Sequence, residues 1–145
     1  MKSLIIYDSN FGNTKLVAEA IGQAIGPTAA VVNTKDVNPE ILTGVELLIV
    51  GSPINAWKPT DKILNWLTEL GAGKLKGIKA ASFDTRVRLF IHGNAAKIIA
   101  AGLTHAGAEL VGQPEGFIVK GKEGPLESGE LDRVKVWTNS LLANH

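Results

Sequence analysis

Apolar runs of strand length alternate with helically spaced segments along the whole chain, and this alternation limits the possible folds more than any other feature. Leu4 to Tyr7 reads as a buried strand. Leu16, Val17, Ala20, Ile21, Ala24 and Ile25 then recur at helical spacing until Gly26-Pro27 stops them. Ala29 to Val32 reads as a second strand, and Asn38-Pro39 opens a brief helix through Leu42. Glu46 to Val50 is a third strand, buried on both faces. Thr60 then caps a helix with Ile63, Leu64, Leu67 and Leu70 along one side. After a small-residue turn from Gly71 to Gly77 come a fourth strand, Ile78 to Phe83, and a helix from about Asn94 to His105. The last strand is split between Glu109-Leu110-Val111 and Phe117-Ile118-Val119. A terminal helix from about Gly129 to Leu142 turns Leu131, Val134, Thr138, Leu141 and Leu142 inward. Strands separated by helices give an α/β fold of three layers, an open, doubly wound five-stranded parallel sheet covered on both faces.

The 145 residues suit a single domain spanning 1–145, with 45% hydrophobic and 20% charged residues. The first residues enter a strand pattern at once, so no signal peptide is expected, and no apolar run is long enough for membrane insertion. The absence of cysteine excludes disulfides and thiolate chemistry, and fits a cytoplasmic protein. A formal charge of +1 gives no long-range attraction for nucleic acid. His92 and His105 lack carboxylate or cysteine neighbours in sequence and His145 lies at the C-terminus, so no metal site is expected.

In open parallel sheets, ligands bind beyond the carboxyl ends of the strands. Three loops there are unusual in this chain. Ser9-Asn10-Phe11-Gly12-Asn13-Thr14 joins the first strand directly to a helix. Exposed backbone N–H groups, the positive end of the helix and the Ser9 and Thr14 hydroxyls suit a phosphate, and Gly12 clears the tightest point. The same residues also read as a polar helix cap. The loop lacks the lysine of a Walker loop and two glycines of the dinucleotide fingerprint, so a phosphate monoester is the expected ligand. The second loop, Pro53-Ile54-Asn55-Ala56-Trp57, is stiffened by proline and presents an aromatic plane for a flat ring, unless Trp57 packs on the protein's own surface. The third, Asp84-Thr85-Arg86, could read the edge of a heterocycle or form a solvated turn with a local salt bridge. Together the loops suggest a mononucleotide with a planar ring.

With these residues in place the chain resembles the flavodoxin family. The stretch Ser9 to Thr14 is similar to that family's hydroxyl-x-hydroxyl-Gly-x-Thr phosphate loop, and the length suits the short type. The resemblance implies the strand order 2-1-3-4-5 and flavin mononucleotide (FMN) as cofactor. Ser9, Asn10, Phe11, Gly12, Asn13 and Thr14 would then hold its phosphate, with Pro53, Ile54, Asn55, Ala56, Trp57, Asp84, Thr85 and Arg86 flanking the isoalloxazine. Phe11 replaces a hydroxyl residue common in the family. No glycine stands in the second loop, where the family often has one whose carbonyl turns towards reduced flavin, and Asn55 is the residue best able to adopt a left-handed backbone there. The third loop lacks the tyrosine or tryptophan that the family commonly stacks there, and Phe90 stands farther along the chain. Lys58, Arg86 and Arg88 bring positive charge where the family is typically acidic, which would favour the anionic reduced flavin and raise its potential.

No residue has the setting of an acid, base or nucleophile, which suits an FMN-binding electron carrier working between redox partner proteins. A small FMN-dependent NAD(P)H or quinone reductase would need a second pocket, and Arg86 and Arg88 could serve an anionic substrate there. A degenerate binding module that has lost flavin is the third reading. A phosphoacceptor receiver is argued against by Gly51-Ser52, where such a domain needs an aspartate ending its third strand. Association into an oligomer is open. Trp66 and Trp137 read as packing or interface residues, and the segment from Lys120 to Glu130 as a mobile loop.

Overall fold

The computed structural model describes residues 1–88 and 93–144; Phe90, His92 and His145, singled out above, lie outside them. Strand β1 (Ser3–Tyr7) leads into helix α1 (Asn13–Ile25), and β2 (Ala29–Asn33) follows. Two short 3-10 turns, at 34–36 and 39–42, then lead to β3 (Leu47–Pro53) and α2 (Asp61–Leu70). The remaining elements are β4 (Lys79–Val87), α3 (Ala95–His105), β5 (Glu109–Leu110), β6 (Glu115–Val119) and α4 (Glu130–Asn144). All strand pairs are parallel, in the order β2-β1-β3-β4-β5, with β6 continuing beside β4. The fifth strand is therefore split, as its sequence suggests: β5 pairs with the start of β4 and β6 with its end.

The alternation of side chains along β1, β3 and β4 divides the core into two halves. Ile5, Ile49, Ala81 and Phe83 pack with Val17 and Ile21 of α1 and Val134 and Leu141 of α4. On the opposite face Leu4, Ile6, Leu48 and Val50 meet Ile63, Ile99 and Leu103 from α2 and α3. Phe83, Phe117 and Trp137 form an edge-to-face triad at centroid separations of 5.8–6.2 Å, so Trp137 is a core residue. The triad needs Gly51, because a Cβ there would lie 2.0 Å from the Phe83 ring.

Several expectations shift. Leu131 and Leu16 are about half exposed, while Val134, Thr138 and Leu141 do point inward. Thr60 precedes α2 but its hydroxyl makes no cap; instead its N–H donates to Ser52 Oγ at 3.0 Å. The brief helix after Asn38 is a single 3-10 turn. β4 continues to Val87, so Asp84, Thr85 and Arg86 are strand residues rather than a loop, held in register with Gly116, Phe117 and Ile118 of β6. The segment after β6 is held by structure as well: Lys120 N donates to the Pro125 carbonyl, and Val119 bridges Leu126.

Candidate functional site

The carboxyl ends of β1, β3, β4 and β6 surround one cavity of about 660 Å³, within the range of small-molecule sites. Of the residues expected to hold the phosphate or flank the ring, all but Gly12 and Asp84 line it, and Lys58, expected to bring charge beside the ring, is not among the lining residues. Val87, Arg88, Val119, Lys120, Gly121 and Lys122 complete the wall. The 119–122 segment was missed, although its place after a strand's carboxyl end is the same signal that marked the other loops.

Turning from β1 into α1 takes a left-handed residue, and Gly12 supplies it with φ 91°. Asp8 Oδ1 accepts the Ser9 N–H at 2.9 Å, and Ser9 Oγ accepts the Gly12 N–H at 2.9 Å, which leaves the Ser9 hydroxyl proton free to donate. No side chain caps α1, and among the described residues the N–H groups of Asn13, Thr14 and Lys15 meet no acceptor. Orphan amides at the positive end of a helix, beside a hydroxyl donor, match a phosphate in charge and geometry. Thr14 Oγ1 lies 2.8 Å from Thr85 Oγ1, so one proton of that pair also remains available.

The two asparagines of this loop do something else. Asn10 Nδ2 donates to Asn55 Oδ1 at 2.9 Å, fastening the second loop, and Asn13 Nδ2 donates to the Glu123 carbonyl at 3.1 Å, fastening the turn after β6.

The second loop is a two-residue hairpin. Asn55 and Lys58 exchange both backbone hydrogen bonds, at 2.7 and 3.1 Å, around Ala56 and Trp57. Both central residues have positive φ, 47° and 74°, the requirement of a type I′ turn usually met by Asn-Gly. The left-handed residues are thus Ala56 and Trp57, and Asn55, which tolerates that backbone better than most, does not adopt it. The turn holds the Trp57 side chain 57% exposed at the cavity wall. Gly93 lies directly behind it, where a Cβ would come within 2.5 Å of the Trp57 carbonyl.

Asp84 is fully buried and is not part of the cavity lining. It takes a two-point fork from Arg86 at 2.7 Å each and accepts the Ala96 N–H at 2.9 Å, pinning the start of α3 to the sheet. Arg86 also donates to Asn94, and it lies over Gly116, whose Cβ would sit 2.1 Å from Nε. The local salt bridge exists, but in a strand and away from solvent. Arg88 forks onto Glu127; that hydrogen-bonded pairing raises the arginine pKa and lowers the carboxyl's. Behind this wall Arg133 bonds Glu130 and Glu115 and covers the Phe117 ring at 4.8 Å. The Arg133 hydrogen bond, outweighing partial burial, holds the Glu130 carboxyl below its usual range.

A doubly wound parallel sheet whose first helix opens uncapped into a cavity, opposite an aromatic turn, has the form of a nucleotide-binding α/β domain, and the cavity lies at the switch point between β1 and β3 where such folds bind ligands. The flavodoxin family model matches residues 5–137, and the chain belongs to the flavodoxin family. Its fold superposes on flavodoxin 2 of Bacillus cereus with a TM-score of 0.84 at 21% identity, covering 100% of both chains. For flavodoxin 1 of the same organism the values are 0.83 and 19%, over 100% of this chain and 99% of that one. The rubredoxin oxygen:oxidoreductase of Desulfovibrio gigas matches at 0.76 and 18% identity, over 99% of this chain and 36% of that protein. Among curated protein sequences none matches significantly. FMN is the cofactor implied by the family, and the orphan amides and hydroxyl donors at the start of α1 fit its phosphate. No described helix is long and apolar enough to cross a membrane.

Proposed function

We propose that the chain carries electrons between redox proteins, holding FMN in the cavity at the carboxyl edge of the sheet. The observation that carries this reading is the uncapped start of α1 opening into the same cavity as the exposed Trp57. The N–H groups of Asn13, Thr14 and Lys15, with the Ser9 and Thr14 hydroxyls, hold the phosphate. Trp57 and Ile54 flank the ring from the second loop, and Thr85 and Arg86 border it from β4. The bound flavin supplies the redox chemistry, taking up and releasing one or two electrons. The protein's residues bind, orient and shield it. Among the described cavity residues, no carboxylate, histidine or thiol stands ready to move a substrate proton, which favours a carrier over a reductase. A cytoplasmic setting accords with the absence of cysteine.

The test is the visible spectrum after loading with FMN and desalting, followed by anaerobic reaction with NADPH and with a quinone. Retained flavin bands, with slow or no direct reaction, are expected. A colourless protein refutes the proposal, and rapid turnover of NADPH with the quinone replaces it with a reductase.

A further inference from the structure

Among the described residues, four cations, Arg86, Arg88, Lys120 and Lys122, line the cavity, and no carboxylate does. Their charges are not equally available. Arg86 is neutralised by Asp84 and Arg88 by Glu127. Lys120 and Lys122 are exposed, and among the described residues neither makes an ion pair. Glu123, also exposed, adjoins Lys122 in sequence, and Lys120 acts through space on Glu127, the partner of Arg88. At the same cavity stand two large exposed side chains, Trp57 at 57% and Phe11 at 48% exposure. Exposed aromatics suit the centre of a protein docking face, and unpaired lysines beside them can steer an oppositely charged partner.

Resting on the carrier reading above, we propose that the face formed by Phe11, Trp57, Lys120 and Lys122 docks the acidic face of a redox protein. The local field rather than the overall charge directs the encounter. The chain's +1 is outweighed by roughly −2 from a bound phosphate monoester, so the holoprotein as a whole is slightly anionic. That overall charge would repel an acidic partner, so the attraction tested here has to come from Lys120 and Lys122.

The experiment is stopped-flow electron transfer with the FMN-loaded protein, using two protein probes: a reduced, strongly acidic two-iron ferredoxin as donor and an oxidised, basic cytochrome c as acceptor. As ionic strength rises and the Debye length falls from about 30 Å to about 8 Å, the ferredoxin rate constant should drop about tenfold. The cytochrome rate should not fall. Lys120→Glu/Lys122→Glu should abolish the ferredoxin slope and create one with cytochrome c, while Lys120→Arg/Lys122→Arg keeps the original pattern. A ferredoxin rate that is flat or rises with salt overturns the proposal, as does an unchanged slope in the charge-reversed protein. Reduction by NADPH that is lost with the same lysines would assign them to a nucleotide instead, and also overturns it. Failure of the unsubstituted protein to retain FMN shows in the absorbance spectrum before any kinetics and sinks the carrier reading and this proposal with it, whereas loss of FMN from the charge-reversed protein alone would assign the lysines to the flavin and overturn only this proposal.

Discussion

Replacing Ala56 by glycine should stabilise the protein, against the usual sign of that substitution. Ala56 sits at φ 47° as the first central residue of the Asn55–Lys58 hairpin. A left-handed backbone costs a residue with a Cβ roughly 1–2 kcal/mol. Glycine removes that cost but loses about 0.5–1 kcal/mol through the larger entropy of its unfolded chain. The net gain is therefore about 0.5–1 kcal/mol, or a rise of about 1.5–3 °C in melting midpoint for a domain of this size. Ala101 is the matched control, an exposed residue inside α3, where glycine should cost about 1 kcal/mol. Thermal melts of the flavin-free proteins by circular dichroism provide the assay. If Ala56→Gly lowers the midpoint as Ala101→Gly does, the turn is not left-handed at this residue and the account of how Trp57 is displayed fails.

Trp57→Ala should weaken FMN binding about threefold to tenfold, the worth of one ring contact, measured by quenching of flavin fluorescence; unchanged affinity would place the ring elsewhere. Asp84→Ala leaves the mostly buried Arg86 guanidinium, whose side chain is 16% exposed, without its carboxylate. Urea unfolding should show a loss of about 3–5 kcal/mol, and a loss below about 1 kcal/mol would mean that the fork is not structural. Glu127 and Glu130 both have pKa values lowered from the ordinary 4.5. Their stabilisation is thus complete above that value and is lost as pH falls through the lower folded-state values. The urea midpoint should be level above about pH 5 and fall below about 4.5, with a shallower fall in Glu130→Gln. An equal fall in the variant would remove Glu130 from the explanation.

The sheet was legible because its strands are apolar on both faces and its helices on one, so period and burial agree along β1, β3, α1 and α3. The split of the last strand was legible too, since Gly112-Gln113-Pro114 interrupts it. The end of β4 was not. Asp84, Thr85 and Arg86 are polar, and periodicity assigns such residues to a loop. The partners that let them stay in the sheet, the Ala96 amide and the space over Gly116, lie 12 and 30–32 residues away. Leu131 misled for the opposite reason: its spacing fits the inner face of α4, but the helix is rotated so that Val134, Trp137 and Leu141 face the sheet. The turn after β6 read as mobile because glycine and charge dominate it, whereas its order comes from Asn13 and from pairing with Leu126.

Side-chain chemistry in the phosphate loop turns out to be divided between two tasks. Asn10 and Asn13 have the amide groups expected to greet an anion, yet each is spent on a neighbouring loop, and Thr14 ties the loop to β4 through Thr85. What remains for the phosphate is chiefly backbone: the orphan N–H groups at the start of α1, with the free Ser9 proton beside them. Backbone donors do not depend on which side chain is present. Phe11 can therefore stand where the family often has a hydroxyl, turning a 48% exposed ring to the surface without removing a donor from the α1 terminus. The first loop thus fastens the second loop, β4 and the turn after β6, so ordering one wall of the cavity helps to order the rest.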